Sequence, residues 1–192
     1  MKLYYSDASP YARKVRIVAM EKNIPLELIV TAASDDPPAL HKANAIGKVP
    51  TLELDDGTAL GESGHICTYL ESIVKKPKVL SNKPVILRRD ALAIGMMDAL
   101  IRYVLEIRRP EDKQHQPWID RQHRAISRAL DVFEKEKFAK AFTIDQITLI
   151  TALGYLDLRM PNFGWRKTHR RLARWAEKLA DRPSVKETIP QT

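Results

Sequence analysis

The sequence predicts an α/β half followed by an all-α half, on three observations. Up to residue 74, short apolar runs of strand length alternate with helical ones, and turn signals punctuate them. From residue 85 onward, long stretches keep a helical period with little punctuation. Between the two lies "KKPKVLSNKP" (75–84), charged and proline-bearing, which suits a linker. The expected domains are 1–76, with element order βαβ–ββα, and 84–192, all helical.

"KLYY" (2–5) suits a short strand. Pro10 stands where the first turn of a helix accepts it. From Tyr11 to about Lys22, Val15, Val18 and Ala19 are expected to face inward, and Arg13, Lys14 and Arg16 outward. "LELIV" (26–30) reads as a second strand, and "PPALHKAN" (37–44) as a short helix before the loop "IGKVP". "TLEL" (51–54), "DDG" (55–57) and "TAL" (58–60) read as a hairpin, because Asp-Gly is a strong turn signal. "ESGHICTYLESIV" (62–74) then reads as an amphipathic helix capped by Ser63. Four helical stretches follow: 85–109, 116–138, 143–160 and 165–182. Thr143 and Gln146 have capping-box spacing. There is no internal repeat.

Of the 192 residues, 44% are hydrophobic, enough for a real core and against disorder. No apolar run approaches the roughly 20 residues that span a bilayer. "MKLYYSDASP" lacks the apolar region of a signal peptide. The expectation is a soluble, cytoplasmic protein. A single cysteine, Cys67, excludes an intrachain disulfide and a cysteine-rich metal site, and it reads as a buried, inert thiol. The histidines show no metal-ligand spacing, so no metal is expected.

The net charge is +8, concentrated in "RQHRAISR" (121–128) and "RKTHRRLAR" (166–174). These read first as solvated helix faces. No zinc spacing, RNA-binding aromatic motif or phosphate loop accompanies them, so nucleic acid is not the expected partner. A positive field would also suit a small anionic ligand.

Three loops of the first half carry chemistry. "SPY" places Ser9 at a helix start, where its oxygen is either a plain N-cap or part of an anion site. "GKVP" precedes a strand, and Val49–Pro50 could be cis there. "GES" sets the acid Glu62 beside the hydroxyl of Ser63 at another helix start, again a cap or a ligand site. In a βαβ–ββα layout the loops could converge at one end of the sheet. Together they offer a hydroxyl, exposed backbone groups and a carboxylate, which suits a small peptide with a thiol and an amino-acid head.

"SPYARKVR", "NAIGKVPTLEL" and "GESGHICTYLE" resemble, in order and spacing, the thioredoxin-like half of the cytosolic glutathione S-transferase family. "FTIDQITLITALGYLDLR" resembles a core helix of that family's helical half. The resemblance covers essentially the whole chain, and the bacterial serine-motif branch is the most similar. It implies a glutathione-binding first domain, and a second domain with the substrate pocket and dimer surface. It implies glutathione as co-substrate, a small electrophile, a homodimer and a role in detoxification. Ser63 would bind the γ-glutamyl carboxylate and Glu62 the ammonium. Val49, held by Pro50, would pair its backbone with the cysteinyl part, and Lys48 would meet the glycyl carboxylate. Ser9 would donate to the sulfur and lower the thiol's pKa. Tyr11, Arg102, Tyr103 and Glu106 would line the electrophile pocket.

Two departures from the family stand out. In several serine-type classes the activating hydroxyl lies two residues before the proline, and here that residue is Ala8. Ser9 holds the place where thioltransferase-like relatives carry cysteine, so disulfide chemistry by the protein is disfavoured. The helix that often reads Ser/Thr-x-x-Asp has Gln146 in its last position. Tyr5 and Tyr11 flank the first loop and are the alternative thiol activators. A non-catalytic glutathione-binding protein on the same fold is the rival reading, and a nucleic-acid-associated protein the weakest.

Overall fold

The computed structural model describes residues 1–191. Two compact units divide it: Met1–Asn82 together with the tail from Pro183 onward, and Lys83–Arg182.

The first unit holds strands β1 (Lys2–Tyr5), β2 (Glu27–Val30), β3 (Thr51–Glu53) and β4 (Ala59–Gly61) in the order β2-β1-β3-β4. β1 and β2 run parallel, joined by helix α1 (Pro10–Glu21), and the other neighbours are antiparallel. Leu3 stands opposite both Leu28 and Leu52, and Leu52 opposite Leu60. Leu3 and Leu52 are fully buried, so this row anchors the register to the core. Gly57 supplies the positive φ of the β3–β4 turn, and the Asp56 carboxylate accepts the Thr58 N–H at 2.8 Å. Helix α2 (Pro38–Ala43) precedes β3, and α3 (Ser63–Ile73) follows β4 and packs on α1.

The second unit is helical: α4 (Pro84–Ile107), α5 (Gln116–Lys135), α6 (Ile144–Arg159), α7 (Trp165–Thr168) and α8 (Arg170–Ala180). α6 is its core helix, buried almost continuously from Ile144 to Tyr155. Among the described residues no helix is long and apolar enough to cross a membrane.

Several local expectations are corrected. Arg13 and Lys14 do not face outward; they are 4% and 1% exposed. Arg13 is buried because the tail, which forms α9 (Pro183–Lys186), docks on α1: its guanidinium donates to Thr188 Oγ1 (3.3 Å) and the Val185 carbonyl (3.2 Å). The tail was expected within the helical half but clusters with the first unit. The stretch 165–182 is not one helix. His169 leaves helical geometry (φ −116°, ψ 65°), and a side chain from α5, Glu134, accepts the N–H groups of Arg171 and Leu172 as a borrowed cap for α8. Glu134 titrates below the usual carboxylate range: burial pushes it up, and those two N–H groups with the nearby cations outweigh that.

The capping box at α6 does not form. Thr143 donates its hydroxyl to the Asp145 carboxylate at 2.6 Å, and the Gln146 amide turns back to the carbonyls of Ala139 and Ala141. Ser63 does not cap α3; Glu62 does, through its side chain. Cys67 is buried.

Candidate functional site

Register brings three loops to one end of the sheet. Tyr4 pairs with Thr51, and Thr51 with Gly61, so these residues form a row across β1, β3 and β4. One residue after Tyr4 the chain leaves β1 toward Ser9. Directly before Thr51 stands Pro50, and directly after Gly61 stands Glu62. With strands about 4.8 Å apart, the roots of the three loops lie within about 10 Å.

Ser9 is the N-cap of α1, with φ −75° and ψ 117°, and its Oγ accepts the Ala12 N–H at 3.2 Å. The loop before it is tied down from both sides. The Ser9 N–H donates to the Ser6 carbonyl, and Asp7 pairs with Arg16 at 3.1 Å. Arg16 also lies over the Tyr5 ring, 4.6 Å from its centre, and Tyr5 is buried. Tyr11, one residue past Pro10, is half-buried.

The Val49–Pro50 bond is cis. Lys48 is exposed, Val49 half-buried and Pro50 buried. The residue that shapes this loop, Asn44, was not singled out from the sequence. Its side-chain oxygen accepts the Ile46 N–H at 3.0 Å, and its amide donates to Thr51 Oγ1 (2.9 Å) and the Lys48 carbonyl (3.2 Å). The first of these is an Asx turn, which an Asn ahead of Gly47 could have signalled. Gly61 leaves room for that amide: a Cβ there would come within 3.3 Å of Asn44 Nδ2.

Glu62 and Ser63 form the third group. Glu62 has φ 68° and ψ 125°, a conformation that non-glycine residues rarely adopt. From there its carboxylate accepts the Gly64 N–H at 3.0 Å and the Ser63 hydroxyl at 3.1 Å. Ser63 is 3% exposed while Glu62 stays open to solvent. An exposed carboxylate over a helix start, with a buried hydroxyl beside it, can take a ligand's cation on one side. The α3 N-terminus offers N–H groups for an anion on the other.

In the second unit, Arg102, Tyr103 and Glu106 share the last turns of α4. Arg102 is exposed and Tyr103 half-buried. The Glu106 carboxylate accepts the His115 N–H at 2.9 Å and pairs with Arg109 at 3.1 Å. The His115 N–H is the main reason that its pKa lies below the usual range. Glu106 is thus committed to the turn between α4 and α5. Among the described residues no group of three or more His, Cys, Asp or Glu is placed to hold a metal ion.

A β2-β1-β3-β4 sheet with a parallel βαβ start, an antiparallel hairpin and a following helix defines a thioredoxin-like unit, here joined to an all-helical one. The "Glutathione S-transferase, N-terminal domain" family model matches residues 3–78, and the "Glutathione S-transferase, C-terminal domain" model matches residues 116–178. The uncharacterized GST-like protein YibF of Escherichia coli (strain K12) is 33% identical, over 99% of this chain and 98% of that protein. A glutathione transferase family member from Pseudomonas fluorescens Pf-5, solved with bound glutathione, is 35% identical with a TM-score of 0.91, covering 100% of this chain and 99% of that one. A Methylobacterium radiotolerans glutathione S-transferase, solved in complex with glutathione sulfonate, is 32% identical with a TM-score of 0.93, covering 100% and 95%. The chain belongs to the glutathione S-transferase family.

Proposed function

We propose that this chain is a glutathione transferase: it binds glutathione at the three-loop end of its sheet and presents the thiolate to a small electrophile. The observation that carries this reading is the Glu62–Ser63 pair, an exposed carboxylate and a buried hydroxyl at the start of α3. The relatives solved with glutathione and with glutathione sulfonate support the choice of ligand.

In this reading the α3 N–H groups and the Ser63 hydroxyl take the γ-glutamyl carboxylate, and Glu62 takes the ammonium. The Val49 backbone pairs with the cysteinyl unit, and Lys48 meets the glycyl carboxylate. The Ser9 oxygen already accepts the Ala12 N–H, so its own proton is available to the sulfur. The thiol gives its proton to solvent. The thiolate then forms a C–S bond, and the electrophile expels its leaving group or takes a proton after addition. The α1 N-terminus favours the thiolate form.

The first domain (1–76) holds glutathione. The helical unit, Lys83–Arg182, supplies the pocket, through Arg102 and Tyr103, and the surface of a homodimer. Glu106 fixes the turn behind them. The protein works in the cytoplasm, in detoxification.

Titration calorimetry with glutathione, on the wild type and on Glu62→Gln, tests the binding. Saturable binding weakened by the substitution is expected; no binding by the wild type would sink the reading. Turnover of dinitrochlorobenzene and of other electrophile classes tests catalysis. The rival, a non-catalytic glutathione-binding protein, is favoured by Ala8, where a serine-type class would carry its hydroxyl. Binding without turnover of any electrophile class would select it.

A further inference from the structure

Thr51, the first residue of β3, is fully buried, and its hydroxyl is the hub of a small network at the root of the Lys48–Pro50 loop. Thr51 Oγ1 accepts the Asn44 amide at 2.9 Å and donates to the Lys48 carbonyl at 2.7 Å. The same carbonyl accepts the other N–H of the Asn44 amide at 3.2 Å. The direction of each proton is set. The Asn44 oxygen is held by the Ile46 N–H at 3.0 Å, so its nitrogen faces Thr51. That nitrogen only donates, which leaves the Thr51 proton for Lys48. Both lone pairs of the Lys48 carbonyl are then taken.

These bonds orient one peptide unit. The Lys48–Val49 bond is trans, and the C=O and N–H of a trans peptide point opposite ways. Drawing the Lys48 carbonyl toward Thr51 therefore turns the Val49 N–H away from it. That N–H has no hydrogen-bond partner among the described residues. Lys48 is exposed and Val49 half-buried, so the unit lies at the surface. Backbone N–H groups are strong donors, and one held open beside a doubly satisfied carbonyl is placed for an acceptor from outside the chain.

We propose that Thr51 is a positioning residue of the glutathione site: its hydroxyl sets the Lys48–Val49 peptide so that the Val49 N–H meets the carbonyl of the cysteinyl unit. This rests on the glutathione reading above, and it names the side chain that aims the loop. Thr51 touches neither the ligand nor the sulfur; it acts through the Val49 N–H. Asn44 supports it from the other side by keeping the hydroxyl proton on the Lys48 carbonyl. A β-branched side chain has little freedom at χ1, so the hydroxyl stays in place without a ligand. The donor is thus aimed before glutathione arrives, and binding does not carry the cost of ordering it.

The test uses the full chain and titration calorimetry with two ligands, glutathione and γ-glutamylcysteamine. The second keeps the γ-glutamyl head and the thiol, and lacks the cysteinyl carbonyl and the glycine. The readout is the ratio of the two affinities, which reports the part of glutathione that the Lys48–Pro50 loop holds. The wild type should bind glutathione the more tightly, by about tenfold or more. Thr51→Val keeps the shape and removes the hydroxyl. It should lower that ratio by about fivefold and leave the affinity for γ-glutamylcysteamine as in the wild type. Thr51→Ser returns the hydroxyl and should restore the ratio. Thermal melting checks that each variant is folded, and if Thr51→Val does not fold, Thr51→Ala is read in its place. Equal weakening of both ligands would show Thr51 to be structural only and overturn the assignment. An undiminished ratio in a folded variant without the hydroxyl overturns it too, as does a wild type that binds the two ligands alike. Failure of the wild type to bind either ligand would overturn the glutathione reading instead, and this assignment with it.

Discussion

The carboxylate of Glu62 holds the hydroxyl of Ser63 at 3.1 Å from a backbone turned to φ 68°. The same carboxylate caps α3 through Gly64. A residue with a Cβ at such a φ costs of order 1–3 kcal/mol, and the cap returns about 0.5–2 kcal/mol.

Those opposing terms separate two substitutions. Glu62→Ala loses the cap and keeps the strain, while Glu62→Gly loses the cap and sheds the strain. The glycine variant should be the more stable by about 1–3 kcal/mol, and neither should bind glutathione as the wild type does. Thermal melting beside calorimetry checks both. Equal melting of the two variants would show that the backbone of Glu62 is unstrained.

Ser9 has two duties that can be parted. Ser9→Ala removes both the cap to Ala12 and the proton for sulfur. It should cost about 0.5–2 kcal/mol of stability and raise the pKa of bound glutathione. Ser9→Asp keeps a capping oxygen, has no proton to give, and adds a negative charge. Its stability should stay near the wild type while the bound thiol's pKa rises further than in Ser9→Ala. Thiolate absorbance of bound glutathione against pH is the measurement. A titration unmoved in both variants would leave Ser9 a cap only, and Tyr5→Phe and Tyr11→Phe would then be the variants to follow.

Acid should loosen the junction of α5 and α8. The Glu134 carboxyl is depressed in the folded chain, so its contribution is present above the unfolded value, near 4.5, and is lost as pH falls through the lower folded value. Glu134→Gln keeps an acceptor without the charge. The gap in melting temperature between wild type and Glu134→Gln should be open at neutral pH and close as pH drops below about 4.5. A gap that stays constant across that range would refute the linkage.

Lys22 ends α1 with its ammonium fully buried, 2.8 Å from Glu71 and 2.9 Å from the Pro77 carbonyl. Glu71 also accepts the Val79 N–H at 3.2 Å. Glu71→Ala strands a buried cation and should cost about 3–5 kcal/mol. Lys22→Met leaves Glu71 with the Val79 N–H and partial exposure, and should cost clearly less. Urea denaturation midpoints decide. If the lysine substitution proves the costlier, the buried charge is not what makes the pair sensitive.

Where structure is set by near neighbours in the chain, the sequence was a good guide. The Asp56–Gly57 turn, Pro10 at the start of α1 and the long helical periods needed only residues a few places apart. The three loops were legible for the same reason, since each is a short motif at an element boundary. Distant partners decided the rest. Arg13 reads as a surface residue of an amphipathic helix, and its acceptors lie 172 and 175 residues away. His169 sits in a stretch with good helical period, yet Glu134 on another helix captures the N–H groups beyond it. At Glu62 and Ser63 the pair was readable but the division of labour was not. Serine is the stronger N-cap by preference, and Glu62 caps from a φ that its residue type avoids. Thr143 and Gln146 had the spacing of a capping box, and Asp145 between them offered the hydroxyl a charged acceptor.

The docking of residues 184–188 on α1 fixes an order of events during translation. The first unit begins with Met1, but the acceptors of Arg13 lie on Val185 and Thr188, and Ser184 reaches Glu21. Between them the ribosome must make the whole of Lys83–Arg182. At about 5–20 residues per second, that stretch takes on the order of 5–20 s. Through that interval one flank of α1 keeps its guanidinium without the acceptors it ends with. The closing step of the first unit is therefore timed by the ribosome, and an early stop codon ahead of Val185 would leave that flank open for the life of the protein.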